Sequence, residues 1–192
     1  MTTITMLLLA LVLGAETVSA HERPVSPPSR LRIFTAGAWY VSPRVLLASV
    51  TGSSTSYGLS LERALGVKTD DGDVWGVSVE LEHHSFTTEY KGGAIRESTT
   101  TKETPIGLMA IYHFVLVFDN PRVDPYLGAG PGYSIVRVSV NTGTGDVGIQ
   151  RKGGMFLQGQ AGVRYFLTER LALGAQAGVG ISNVGVTATF RF

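Results

Sequence analysis

Cysteine is absent from the 192 residues, lysine occurs only at 68, 91, 102 and 152, and no apolar run reaches the ~20 residues that a membrane-spanning helix needs. Without cysteine there is neither a disulfide framework nor a thiolate metal site. An excess of positive charge is missing too: 16 Lys and Arg face 15 Asp and Glu, a net charge of +1. Phosphate-backbone binding draws on clustered cations, so a nucleic-acid partner is not expected. Charged residues make up only 16% of the chain against 44% hydrophobic ones, and mean hydropathy is positive, which excludes the disordered class. What remains is one domain's worth of chain, rich in glycine (24 residues).

Met6 to Gly14 form a short apolar run, and Val18-Ser19-Ala20 has the small residues of a cleavage site, followed by polar His21-Glu22-Arg23. Residues 1–20 read as a secretory signal peptide, although Met1-Thr2-Thr3 carries no Lys or Arg. Its removal takes away Glu16 and leaves 16 positive and 14 negative side chains, net +2. Residues 21–30 hold three prolines and no periodicity, the mark of an extended leader, and residues 31–192 form the domain.

From Leu31 onward the period is two. Val184, Val186, Ala188, Phe190 and Phe192 alternate with Gly185, Thr187, Thr189 and Arg191, which is a strand with one apolar face. Leu171 to Ile181 does the same, and a tight turn at Ser182-Asn183 keeps both apolar sets on one face. Leu157 to Leu167, Tyr126 to Val140, Ile106 to Phe118, Trp75 to His84, Tyr57 to Val67 and Leu31 to Val41 complete eight strands. In the segment Tyr126 to Val140 the parity changes around Pro131-Gly132, where a bulge is expected, leaving Val136, Val138 and Val140 opposite Arg137 and Ser139.

A soluble barrel and a membrane barrel alternate in opposite senses: the first buries its apolar face, the second turns it to lipid around a polar lumen. The polar faces here consist of Gly, Ser, Thr, Gln, Glu and Arg. An eight-stranded barrel has an interior wide enough only for side chains, so this small-residue set, with three acids and three bases, suits a filled lumen. The apolar face is therefore assigned to lipid. Buried charges must then be paired, and the expected lumen ion-pair network is Glu62, Glu80 and Glu82 with Arg137, Arg164 and Arg191. With both ends on the periplasmic side, the inner turns are Lys68 to Asp73, Asp119 to Asp124 and Thr168 to Arg170. The outer loops are Ser42 to Ser56, Gly92 to Glu103, Asn141 to Gly153 and the tight Ser182-Asn183. Short inner turns and long polar outer loops are the outer-membrane pattern, and lipid tolerates no open sheet edge, so the strands close.

Asp124-Pro125-Tyr126-Leu127-Gly128-Ala129-Gly130-Pro131-Gly132-Tyr133, the stretch from Ala161-Gly162-Val163-Arg164-Tyr165-Phe166 to Leu173-Gly174, and the terminal Thr189-Phe190-Arg191-Phe192 resemble the small outer-membrane β-barrel family of OmpA-like and opacity-type proteins. The resemblance implies an all-β, eight-stranded antiparallel up-and-down transmembrane barrel in the outer membrane. It also implies that Phe192, with Phe190 and Ala188 on its face, is the signal read by the barrel assembly machinery.

Three segments could carry chemistry. His83-His84-Ser85, followed by Glu89 and Glu97, is similar to the His-x-Ser pair of the outer-membrane lipid A deacylases. That likeness implies His83 as general base for the Ser85 hydroxyl, with Glu97 as the carboxylate; the plain reading is a strand turning polar as it leaves the membrane. Glu80-x-Glu82-x-His84 offers donors to a divalent ion, and ion pairing with arginine is the simpler reading. Gly128-Ala129-Gly130-Pro131-Gly132 has the glycines of a nucleotide loop but no following helix. His113 reads as an interior or interfacial residue. Trp39, Tyr40, Trp75, Tyr90, Tyr112, Tyr126, Tyr133 and Tyr165 are candidates for aromatic girdles at the two interfaces.

The expectation is thus a monomeric outer-membrane barrel without enzymatic activity, cofactor, metal or wide pore. It serves envelope integrity or surface interaction, and its partners are outer-membrane lipids, periplasmic chaperones and the barrel assembly machinery. The alternatives are a lipid A ester hydrolase using His83 and Ser85, and a secreted soluble barrel that binds a small apolar ligand.

Overall fold

A computed structural model describes residues 36–47, 53–68, 74–92, 95–114, 120–142, 146–179 and 184–192. The expected signal peptide, the leader at 21–30 and the Ser182-Asn183 turn lie outside the described residues. Eight strands follow one another: β1 (Trp39–Leu47), β2 (Ser53–Lys68), β3 (Val74–Gly92), β4 (Ile95–His113), β5 (Val123–Asn141), β6 (Asp146–Phe166), β7 (Leu171–Val179) and β8 (Val184–Arg191). Each pairs antiparallel with its neighbours in sequence, and β1 pairs with β8, so the sheet closes. No helix of the described residues is long and apolar enough to cross a membrane, a statement that leaves strands untouched.

The two faces sort as the alternation requires. Leu173 and Phe190 are 52% and 43% exposed on the outside, while Arg164 and Glu80 are 4% and 5% exposed in the lumen. Above an apolar cluster at one end the interior is lined largely by Glu, Arg, His, Gln and Ser, whereas the outer face carries a girdle of Leu, Val and Ile of the kind that lipid covers.

The wall has uneven height. β3, β4 and β5 have 19 residues each and β6 has 21, against 9, 8 and 9 for β7, β8 and β1. Nine residues are just enough to cross the hydrocarbon. Among the described residues β6 is paired with β7 only from Gly159 onward, so the part of β6 before it stands as the edge of a raised sheet. Exposed Arg151 and Lys152 stand on that edge, charges of the kind that discourage edge-to-edge association.

Three expectations are corrected here. The first strand is Trp39–Leu47, not Leu31 to Val41: residues 36–38 form a turn and its exit, with Gly37 at φ 85°, which glycine adopts without cost. The long outer loops are mostly strand, because β1 continues to Leu47, β2 starts at Ser53, β3 and β4 run to Gly92 and from Ile95, and β6 starts at Asp146. Polar hairpin arms that stand in water resemble loops in composition. Finally, Pro131 makes no bulge. The β5–β6 ladder passes through it in step, Gly130↔Gln158, Pro131↔Leu157, Gly132↔Phe156. On its other side the β4–β5 ladder lacks bridges between Gly107↔Gly132 and Ala110↔Ala129 yet keeps register across the gap. The proline removes one donor without inserting a residue.

Candidate functional site

The chemistry-bearing residues are stacked along the lumen. At the end that carries Trp39 and Phe192, Tyr40, Ala64, Val74, Phe166 and Ala172 form a buried apolar plug, with Ala38 packed against it. Directly above it lie four charged groups. Arg164 on β6 donates through Nη2 to Glu62 Oε2 on β2 at 2.5 Å, and its Nε is 3.7 Å from Asp124 Oδ2. His113 on β4 places Nδ1 2.8 Å from Asp124 Oδ1 and Nε2 2.8 Å from Glu62 Oε1. Both carboxylates accept only, so the imidazole set between them carries a proton on each nitrogen. Two acids and two bases then balance, as charges withdrawn from water must. The Arg164 guanidinium also lies 4.6 Å from the Tyr126 ring centroid and 5.8 Å from that of Tyr40, a stacking that a planar guanidinium favours.

One turn of side chains higher, Arg44 on β1 reaches Glu80 Oε1 at 3.1 Å and Glu82 Oε1 at 3.4 Å on β3. Gln160 donates to Glu80 Oε1 at 3.1 Å, and Glu82 Oε2 meets His84 Nε2 at 3.1 Å. The other His84 nitrogen is 2.9 Å from Ser56 Oγ. Next to Glu80, Gln158 and Gln160 there is a cavity of about 10 Å³, room for about one water.

Glycine at 162 makes this packing possible. A Cβ there would stand 2.5 Å from Cζ and the hydroxyl of Tyr126, whose ring crosses to the neighbouring strand and donates to Gln176 Oε1 at 3.3 Å. The Asp124-Pro125-Tyr126 segment thereby delivers both an acid and an aromatic ring to Arg164.

Of the six residues expected in the ion-pair network, Glu62, Glu80, Glu82 and Arg164 meet in the lumen, and two do not. Arg137 points outward and is exposed, because the absent bulge leaves β5 in one parity and a one-residue slip exchanges the faces. Arg191 sits at the rim, where Nη1 reaches the carbonyl of Glu169 at 3.5 Å. Their places are taken by Arg44, His113 and Asp124. Arg44 was legible in the alternation of Tyr40, Ser42, Arg44 and Leu46 with Val41, Pro43, Val45 and Leu47, and Asp124 in its parity with Tyr126.

Among the girdle candidates, Trp75 and Tyr112 pack edge to face at 4.9 Å on the outer wall, with Phe114 4.8 Å from Tyr112. Arg63 lies over Trp39 at 5.3 Å. Tyr165 is exposed on the same band, and Tyr133 near its far margin. Tyr40 and Tyr126 are buried in the lumen instead, and Tyr90 stands near the tip of the β3–β4 hairpin, well beyond the apolar band. Phe190 and Phe192 face outward and are exposed, with half-buried Ala188 on their side.

The deacylase-like constellation is not assembled. His83 and Ser85 share the outer face, but His83 Nδ1 is 3.2 Å from Thr104 Oγ1. Glu97 is paired with Tyr90, seven positions along β4 from Thr104 and on the lumen parity, about 23 Å from the pair along the strand. The Glu80, Glu82 and His84 donors are engaged by Arg44 and Ser56, and no group of three metal-ligating side chains occurs among the described residues. The Gly128 to Gly132 segment is the interior of β5.

Among solved structures the chain is similar to the N-terminal beta-barrel domain of Pseudomonas aeruginosa OprF, at 19% identity over 82% of this chain and 98% of that one, with a TM-score of 0.47. It is similar also to Ail, the attachment invasion locus protein of Yersinia pestis (12%, 82% and 100%, 0.49), and to Neisserial surface protein A (24%, 81% and 96%, 0.41). No curated protein matches the chain. The family model described as the outer membrane protein beta-barrel domain matches residues 7–188, and with its closed eight-stranded wall and lipid-facing apolar belt the chain belongs to that family and resides in the outer membrane.

Proposed function

We propose that the protein is a closed, non-enzymatic barrel that contributes to the integrity of the envelope and carries its raised β2–β6 wall on the outside. The observation that supports this reading is the Glu62–Arg164 contact at 2.5 Å above the apolar plug. β2 and β6 stand opposite each other in the ring, so this pair spans the lumen at that level, as expected of a barrel filled by its own side chains. The reading includes export by the segment 1–20, escort by periplasmic chaperones, insertion by the barrel assembly machinery acting on Phe192, and a monomeric final state in contact with outer-membrane lipids. Single-channel recording in a planar bilayer tests it: the purified barrel is expected to give no stepwise conductance, and porin-like steps overturn the closed-barrel reading.

The hydrolase alternative requires a carboxylate within reach of His83. Lipid A extracted from cells that carry the native chain or Ser85→Ala is expected to give identical mass spectra. Loss of an acyl chain with the native protein alone overturns the non-enzymatic reading.

A further inference from the structure

Lys102, Arg137 and Arg151 occupy one rung of the wall. Lys102 pairs with Arg137 across β4 and β5, and Arg137 with Arg151 across β5 and β6. Directly paired residues share a face, with Cβ atoms about 4.5–5.5 Å apart, and like charges so placed repel. All three are exposed, on the outer face that also carries Tyr133 and Ile135. Among the described residues none of the three has an acidic partner. The flanking positions on the same face, Thr100, Thr104, Ile135, Ser139 and Gly153, bring no carboxylate.

The height of this rung gives the row its meaning. Below it, directly at Ile135 on β5 and past Thr104 on β4 and Gly153 on β6, the surface is apolar: Ile106, Tyr133, Met155 and Leu157, the last two 76% and 80% exposed. Above it on β3, β4 and β5 the same face turns to Thr and Ser (Thr87, Thr100, Ser139), with the Thr87 and Thr100 hydroxyls 3.1 Å apart. The row therefore stands where acyl chains end and headgroups begin, on the outward side of the membrane, since both ends of the barrel lie at the opposite rim. Three cations on adjacent strands at that depth, without an acidic partner among the described residues, call for an anion from outside.

We propose that Lys102, Arg137 and Arg151 form a binding site for the phosphate groups of an outer-leaflet glycolipid of the lipid A type, whose acyl chains lie along Met155, Leu157, Tyr133 and Ile106. The two guanidinium groups present paired N–H donors to phosphate oxygens, and the ammonium adds a mobile point charge. The proposal goes beyond the envelope role and stands whether or not the lumen conducts.

Native mass spectrometry of the detergent-released barrel mixed with diphosphoryl lipid A tests it, with dephosphorylated lipid A and a heparin fragment as competitors. The native protein is expected to retain the diphosphoryl lipid. The variant Lys102→Gln/Arg137→Gln/Arg151→Gln is expected to bind it about a hundredfold more weakly, about fivefold for each cation removed, and to bind dephosphorylated lipid A as the native protein does. Equal retention by native and triple variant overturns the site. So does retention of heparin in preference to the phosphorylated lipid, which would make the row a receptor for a soluble polyanion. Heat-modifiable gel migration reports whether the triple variant is folded; should it not fold, Arg137→Gln and Arg151→Gln singly carry the test through their fivefold losses.

Discussion

Arg164 Nη2 and Glu62 Oε2 stand 2.5 Å apart, joining residues 102 positions apart in sequence and strands on opposite sides of the barrel. The other charged groups of the lumen directly above the plug are arranged around this contact: Asp124 approaches the guanidinium Nε, His113 bridges the two carboxylates, and Tyr126 covers the face.

Removing one member of this group leaves a charge without its partner. Arg164→Met leaves two carboxylates against one imidazolium, and the folded barrel is expected to lose about 3–5 kcal/mol. The double variant Arg164→Met/Glu62→Gln restores the balance between His113 and Asp124 and is expected to be closer to the native protein than the single one. Urea titration of the barrel refolded into lipid vesicles measures both; a double variant weaker than the sum of its singles contradicts the pairing.

Gly162 is expected to tolerate no side chain. Gly162→Ala puts a methyl group 2.5 Å from the Tyr126 ring and is expected to cost about 1–3 kcal/mol by forcing that ring off Arg164. Tyr126→Phe keeps the ring and loses only the bond to Gln176, about 1 kcal/mol. The same urea titration separates the two, and Gly162→Ala with native stability would mean that the ring has room to move.

The plug is expected to be a stabilising core in its own right. Phe166 is 1% exposed, and Phe166→Ala is expected to lower stability by about 3–5 kcal/mol through the cavity it leaves. Unfolding midpoints of native and variant barrels provide the measure, and a change under 1 kcal/mol would show that the cluster bears no packing load.

On the outer wall the cost of a charge should follow depth. Ala129, exposed on β5 midway along the apolar band, is expected to accept Arg at about 2–4 kcal/mol, whereas Ser139→Arg, two residues beyond Arg137, is expected to be nearly neutral. Equal costs at the two positions, read from reversible folding into vesicles, would place the lipid boundary elsewhere.

Much of the wall was legible without coordinates. The alternation from Leu171 to Phe192 marks two strands and their lipid-facing sides, and the glycine-rich, lysine-poor opposite faces mark a narrow lumen. Arg137 faces outward against the sequence expectation, because a proline inside a strand suggests an inserted residue, and a single such residue would exchange every face beyond it. The β3–β4 and β5–β6 arms read as loops in the sequence because strands that stand in water on both sides have no apolar period to reveal them.

Local order and sidedness were therefore written in the chain itself, since a period of two depends only on neighbouring residues and on which solvent each face meets. Which charges would meet across the lumen was not. Closing eight tilted strands fixes a stagger that no segment contains, and only that closure brings Arg164 to Glu62 and sets Arg44 against Glu80, while the register of the β4–β5 and β5–β6 ladders sets Lys102, Arg137 and Arg151 side by side.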